Sequence, residues 1–366
     1  MIRSAKVSLD SIPNHWKKKK IQDVSLLIKA GGALGYTKNQ DYREEGTPAY
    51  SAAGQDGFVA ECEFEQPGIV VSAIGARCGK CFLAEGKWTT LSNTQAIIVD
   101  ESQIHTKFLW YLINDEDFWH KSGTAQPFIK PTDIHNSWIP VPPLAEQMTI
   151  LSQLESMQTM ILHHQKQLYK IDELYKGMLK KLRNGELFKN EGIKKRLKDV
   201  ASLQMGQTIV SQQLGSEGIP VFSADTGIHP WGYIAKSKKV FHRGTIILSA
   251  RGSIGFPRLP NLERFISTQT TIAVVPNEDI VKAKFLHVWL QTLDYTMLQC
   301  TQAIPMITVG DLKEIFVTVP SWEKQKQIMD VFVQLSKIKD IHRALQSKHE
   351  QLLKELKYKI LYGKKL

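Results

Sequence analysis

Cys78-Gly-Lys-Cys81 carries two thiols at the spacing of a redox pair or of part of a zinc site. A tetrahedral zinc needs four ligands, and only Cys62 and Cys300 remain to complete the set. Cys300 lies in the other half of the chain, and no cysteines stand at equivalent places there, so plain turn cysteines are the expectation. Gly75-Ala-Arg-Cys-Gly79-Lys80-Cys81 is similar to a phosphate-cradling loop. It is one residue short between its glycines and ends in Cys where Ser or Thr would hold magnesium. A Gly-x-Gly-x-x-Gly cradle is absent. His163-His164 suggests a metal, but one polar residue in an apolar helix seam more often fixes register. The expectation is a chain with no catalytic residues, no metal and no cofactor of its own.

Charge points to a partner instead. Among 366 residues, Lys and Arg outnumber Asp and Glu by 47 to 36, a net charge of +11, which suits a polyanion. Four cysteines exclude a disulfide-built scaffold. No apolar run approaches the roughly 20 residues that span a bilayer, and the start of the chain is polar, so a soluble cytoplasmic protein is expected. Lys17–Lys20 reads as a solvated face more readily than as a phosphate clamp.

The elements that must position these side chains are written twice. Asp23-Val24 answers Asp199-Val200, and Gly46-Thr-Pro48-Ala-Tyr50-Ser51-Ala52 answers Gly218-Ile-Pro220-Val-Phe222-Ser223-Ala224. Ser72-Ala73-Ile-Gly75 answers Ser249-Ala250-Arg-Gly252, and Thr94-Gln95 is matched to Thr268-Gln269. From Pro127 the match onto Pro305 runs without gaps to Gly185 and Gly363. Short β-branched runs such as Ile69-Val70-Val71 and Ile246-Ile247-Leu248 predict buried strands, and 104–121 and 281–299 predict helices.

After a proline in each half, a long helix is predicted, from about Glu146 to Arg183 and from about Glu323 to Leu361. Apolar residues repeat on a heptad: Leu154, Ile161, Leu168 and Ile171 with His164 in the first, Leu335, Ile338, Leu345 and Leu352 with His342 in the second. Gly185 and Gly363 stand where C-terminal caps belong. A rod of this length spans about 57 Å. His164 and His342 match across the repeat near the midpoints of the helices and are expected to face one another.

A tandem of two variable domains, each followed by a long helix, resembles the specificity subunit of type I restriction-modification systems over essentially the whole chain. The cues are the Gly-x-Pro-x-(Tyr/Phe)-Ser-Ala segments, the Ser-Ala-x-Gly turns, and a lead into each helix. In that lead Pro127, Ile129, Asp133, Val141, Pro142 and Gln147 match Pro305, Ile307, Asp311, Val319, Pro320 and Gln325. The resemblance implies an α/β (α+β) architecture with a pseudo-two-fold internal repeat. Residues 1–143 and 188–321 would be target recognition domains, and 144–187 and 322–366 antiparallel coiled-coil spacer helices. It implies double-stranded DNA as partner, one half of a split, asymmetric site per domain. It also implies two methyltransferase subunits carrying S-adenosylmethionine, and restriction subunits where the system cuts.

Given DNA, Arg77, Lys80, Arg251 and Arg258 suit phosphates, while Gln55, Asn93, Gln95, Asp225, His229 and Gln269 have groups that match base edges. Tyr50, Phe222, Trp231 and Tyr233 suit sugar edges or a core. Two other readings stay open: a self-sufficient DNA methyltransferase or nuclease, which the missing Asn-Pro-Pro and Asp-Pro-Pro motifs oppose, and a basic coiled-coil scaffold indifferent to DNA sequence.

Overall fold

The computed structural model describes residues 12–38, 40–123, 125–189, 191–224, 229–252, 254–298 and 306–362. Met1–His164 with Ala344–Leu366 make one unit and Gln165–Arg343 the other. The long helices, Leu144–Arg183 and Trp322–Tyr362, each contribute one end to each unit.

In the first unit the strands Gly68–Ser72 and Thr94–Val99 lie side by side, antiparallel, with Cys81–Ala84 and Ser25–Ala30 outside them. Every residue of the two central strands is buried. That is why they read as unbroken β-branched runs without polar alternation. A second sheet joins Thr47–Ser51 to Gly54–Val59 antiparallel and to Thr89–Thr90 parallel. Gly46 enters it at φ 142°, where a Cβ would meet the Val59 carbonyl oxygen at 2.6 Å, so only glycine fits. The helix Thr106–Ile113, shorter than predicted, buries Phe108, Leu109 and Leu112 against Ile69, Val71 and Ile97. Each such side chain stabilises the fold by roughly 1.5–3 kcal/mol.

The second unit repeats this plan. Ala201–Met205, Thr271–Pro276, Ile246–Ser249 and Pro257–Arg258 form the first sheet, antiparallel throughout. Gly232–Ile234, Ile219–Phe222, Arg264–Ser267 and Phe241–His242 form the second. Its parallel pair falls at the same place, Phe222 opposite Ser267 as Tyr50 is opposite Thr90. Gly218 has φ 121° and the same close approach, 2.5 Å to the Ile234 carbonyl. The predicted helix 281–299 is Ala283–Leu290 followed by a 3₁₀ turn, Tyr295–Leu298.

The ladders correct one match. Ser72 pairs with Thr94, and Ser249 pairs with Thr271. Thr94 therefore corresponds to Thr271, not Thr268. Both hydroxyls donate to the carbonyl three residues back, Leu91 at 2.6 Å and Thr268 at 2.8 Å. Closing that turn requires the threonine at the strand entry, and the second Thr-Gln pair lies in the turn itself.

Lys17–Lys20 is a strand, antiparallel to Trp138–Val141, as Ile193–Arg196 is to Phe316–Val319. These ribbons tie each unit to the chain entering its long helix. Just inside the helix, Gln147 and Gln325 are buried. Gln147 donates to the Gln103 and Pro142 carbonyls at 3.0 and 2.9 Å and accepts from His105 N–H at 2.9 Å. Gln325 donates to Ile280 and Pro320 at 3.3 and 3.0 Å and accepts from Lys282 N–H at 2.9 Å.

The helices pack antiparallel within each unit. Ile150, Leu151 and Leu154 share a core with Leu353, Leu356, Ile360 and Leu361. Tyr175, Met178 and Leu182 share another with Ile328, Met329 and Phe332. Leu154, Ile161, His164 and Ile171 are buried, and Leu168 and Leu335 half-buried. Ile338, Leu345 and Leu352 lie further out, at 43, 38 and 37% exposure. Next to Ile338, the half-buried Lys339 reaches across to the Asp172 carboxylate, so a charged clasp takes an inward place there. His164 stacks on His349; His342 belongs to the other unit. Gly185 takes the left-handed cap at φ 78°, and Gly363 lies outside the described residues.

Candidate nucleic-acid interface

One end of the first unit is built from three turns. The hairpin turn 73–80 is closed by N–H groups of Gly79 and Ser72, donating to Ser72 and Lys80 carbonyls at 2.8 Å each. Gly75 and Gly79 have φ 102° and 95°, which lets the chain reverse tightly. Ala73 N–H donates to the Asn93 carbonyl at 2.9 Å, joining turn 91–93, where Asn93 itself is left-handed at φ 66°. Arg77 donates through Nη1 to the Ala53 carbonyl at 2.9 Å, joining turn 51–54. Arg77, Lys80, Asn93 and Gln55 are all exposed on this surface.

The second unit builds the same frame. Gly255 N–H donates to Ser249, Ala250 N–H to Thr270 and Ile307 N–H to Ala250, at 2.9, 2.9 and 3.0 Å. In the first unit the last of these is Ile129 N–H to Ala73 at 2.9 Å. Gly252 and Gly255 have φ 74° and 76°. The side chains in equivalent places differ. Ile74 bridges to Phe128 where Arg251 bridges to Met306. Asn93 is replaced by Thr270, and Lys80 by the exposed Phe256. Arg251, His229 and Trp231 are exposed, Trp231 to 41%; Asp225 lies outside the described residues.

Four of the expected contact residues face inward. Tyr50 donates to the Leu83 carbonyl at 3.2 Å and packs edge-on against Trp88; burial, then the nearby Glu85 charge, pushes its phenol up. Gln95 is buried inside its strand. Arg258 is buried, donates to the Ser223 carbonyl and lies over the Phe222 ring. Gln269 accepts from Ile209 N–H at 3.1 Å and so holds the loop that follows Met205.

Residue types alone missed Asp56. Its carboxylate accepts from Tyr42 at 2.5 Å, from Ser51 at 2.7 Å and from Lys38. Burial works to raise this carboxyl, but those three donors outweigh it and hold it below the ordinary range. The signal in the sequence was Asp56-Gly57: the Tyr42 ring lies where a Cβ on Gly57 would be, 2.4 Å away.

Cys78 is a buried turn residue, as expected, whereas Cys81 is the buried first residue of the strand Cys81–Ala84; they donate to the Ala73 and Ile113 carbonyls at 3.3 and 3.5 Å. Burial pushes both thiols up, away from the thiolate that redox or metal chemistry needs. No group of three metal-ligating side chains occurs among the described residues, and no helix among them is long and apolar enough to cross a membrane.

The sequence model of the family described as "Type I restriction modification DNA specificity domain" matches residues 13–173 and again residues 190–351. The type I restriction enzyme MjaVIII specificity subunit of Methanocaldococcus jannaschii is 24% identical over 330 residues, 79% of this chain and 77% of that one. The S subunit of a type I restriction-modification system from M. genitalium has a similar fold. Its TM-score is 0.66 at 19% identity, with 100% of both chains covered. A chain from a study of complex assembly and conformational transition in a type I system gives 0.63 at 18% identity, with 96% of this chain and 99% of that one covered.

Proposed function

Since this chain belongs to the type I restriction-modification DNA specificity family, we propose that each of its two units reads one half of a split, asymmetric DNA target. It is the non-catalytic specificity subunit of its system. The observation that carries the split-target reading is the duplicated frame with unlike side chains. Matching hydrogen bonds hold both turns, yet Ile74 stands where Arg251 does, Asn93 where Thr270 does, and Lys80 where Phe256 does. An equal backbone makes equal approaches to a duplex, and unequal groups at its edge prefer unequal bases.

Double-stranded DNA is the partner of these surfaces. Two methyltransferase subunits dock on the helices and bring S-adenosylmethionine, with restriction subunits joining where the system cuts. The complex works in the cytoplasm, where its DNA is. Lys80 and Arg251 supply phosphate contacts; Arg77, whose chemistry also suits a phosphate, is anchored on the Ala53 carbonyl and faces a base edge instead, and Gln55, Asn93, His229 and Trp231 face the bases and sugars.

Titrating duplex DNA with the assembled complex across a range of salt concentrations tests this. Log affinity should fall with log salt at roughly −0.9 per phosphate contact, and one bipartite duplex should outcompete all others. A flat salt dependence, or equal affinity for every sequence, would overturn the reading.

A further inference from the structure

The sheet edge of the first unit is held by a relay of contacts that starts at Asp56. Its carboxylate takes Lys38 and Tyr42 from the excursion between strands, and Ser51 from its own hairpin. Ser51 Oγ then accepts from Ala53 N–H at 3.0 Å, fixing the turn. The Ala53 carbonyl in turn accepts from Arg77 at 2.9 Å. Three side chains thus converge on a single carboxylate, and through Ser51 and its turn it orients an exposed guanidinium. The excursion is fastened at two further points: Arg43 N–H donates to Phe58 at 2.8 Å, and Tyr36 Oη accepts from Glu61 N–H at 3.2 Å.

Among the described residues of the second unit no carboxylate holds the edge in this way. There the corresponding loop is held by Gln269 accepting from Ile209 N–H, by Gln207 donating to Ser237 at 2.5 Å and by Gly215 pairing with Tyr233. The two recognition edges are therefore set by separate devices.

We propose that Asp56 is a specificity-determining positioning residue for the first half-site. It holds Lys38, Tyr42 and the 51–54 turn in the one arrangement that aims Arg77 at DNA. This rests on the reading that each unit recognises one half-site. Arg77 is the contacting group; Asp56 acts through it. A guanidinium anchored at one nitrogen keeps its others for a bidentate acceptor, and discrimination by such a pair depends on its angle.

The experiment is competition binding by the full complex, using duplexes that carry single base-pair changes in either half-site, with Asp56→Asn and Asp56→Ala. Asp56→Asn keeps the size and two of the acceptor contacts while losing the charge. The wild-type complex should discriminate by roughly tenfold or more per base pair in both halves. In both variants, discrimination in the first half-site should fall to within about twofold, more completely for Asp56→Ala, while the second half-site stays at its wild-type value. That preserved value also reports that the variants fold and assemble. Unchanged first-half discrimination, or an equal loss in both halves, would overturn the role of Asp56. A wild-type complex that discriminates in neither half would overturn the split-target reading itself.

Discussion

The imidazole of His164 lies face to face with that of His349, ring centroids 5.3 Å apart and planes 13° from parallel. His164 is buried in the seam of the first unit, and Nδ1 of His349 is buried there with no hydrogen-bond partner among the described residues. A polar pair in an apolar seam specifies register at a cost in stability. His349→Leu removes the orphaned nitrogen and should stabilise the chain by about 1 kcal/mol. Calorimetric melts of the two proteins check this, and a lower melting temperature for the variant would count against it.

Gln147 and Gln325 do the same work in the two units, each bonding three backbone groups at the point where a long helix meets its sheet. Leucine at either place would keep the volume and leave those groups unpaired in the core. The expected cost is about 3 kcal/mol at each site. Hydrogen exchange should quicken at His105 in Gln147→Leu and at Lys282 in Gln325→Leu, each without affecting the other. Unchanged exchange at both amides would show that the glutamines merely fill space.

Acid should weaken the first unit through Asp56 and Glu101. Burial tends to raise both carboxyls; hydrogen bonds from Lys38, Tyr42 and Ser51 to Asp56, and from Thr106 and His105 to Glu101, more than offset it. A carboxyl depressed in the fold contributes stability that is complete above its unfolded value, near pH 4, and is lost as pH falls through the folded value. Asp56→Asn should therefore be less stable than wild type at neutral pH, and the gap should close as melts are taken toward about pH 3. A gap of constant size would mean that the charge of Asp56 is not what holds the excursion.

The repeat was legible because each matched residue has a backbone duty. Asp23 and Asp199 accept the Lys20 and Arg196 N–H at 3.0 and 3.2 Å, and Val24 and Val200 carbonyls accept from Asp100 and Asn277 at 2.9 and 2.8 Å. Gly46 and Gly218 occupy conformations closed to other residues. The heptads likewise reveal the long helices, since burial on one face leaves a period. The contact residues were less legible. Tyr50, Gln95, Arg258 and Gln269 have the right chemistry, but whether a strand residue points to core or solvent depends on register. Register here turned on where Thr94 and Thr271 enter their strands. Ile338, Leu345 and Leu352 keep the seven-residue period and still lie further out, and beside Ile338 it is Lys339 that turns inward, toward Asp172. Asp56 has no period of its own, and only the glycine beside it marks the place; its partners come from a loop and from its own hairpin.

If two like frames with unlike edges read two unlike half-sites independently, one frame can be exchanged without disturbing what the other reads. Exchanging residues 193–321 for the corresponding segment of another family member, then sequencing the methylated adenines of cells that carry the chimera and its methyltransferase, tests it most directly. The chimera should methylate a bipartite target in which one half-site is replaced and the other is unchanged. A chimera in which both half-sites change would contradict that independence.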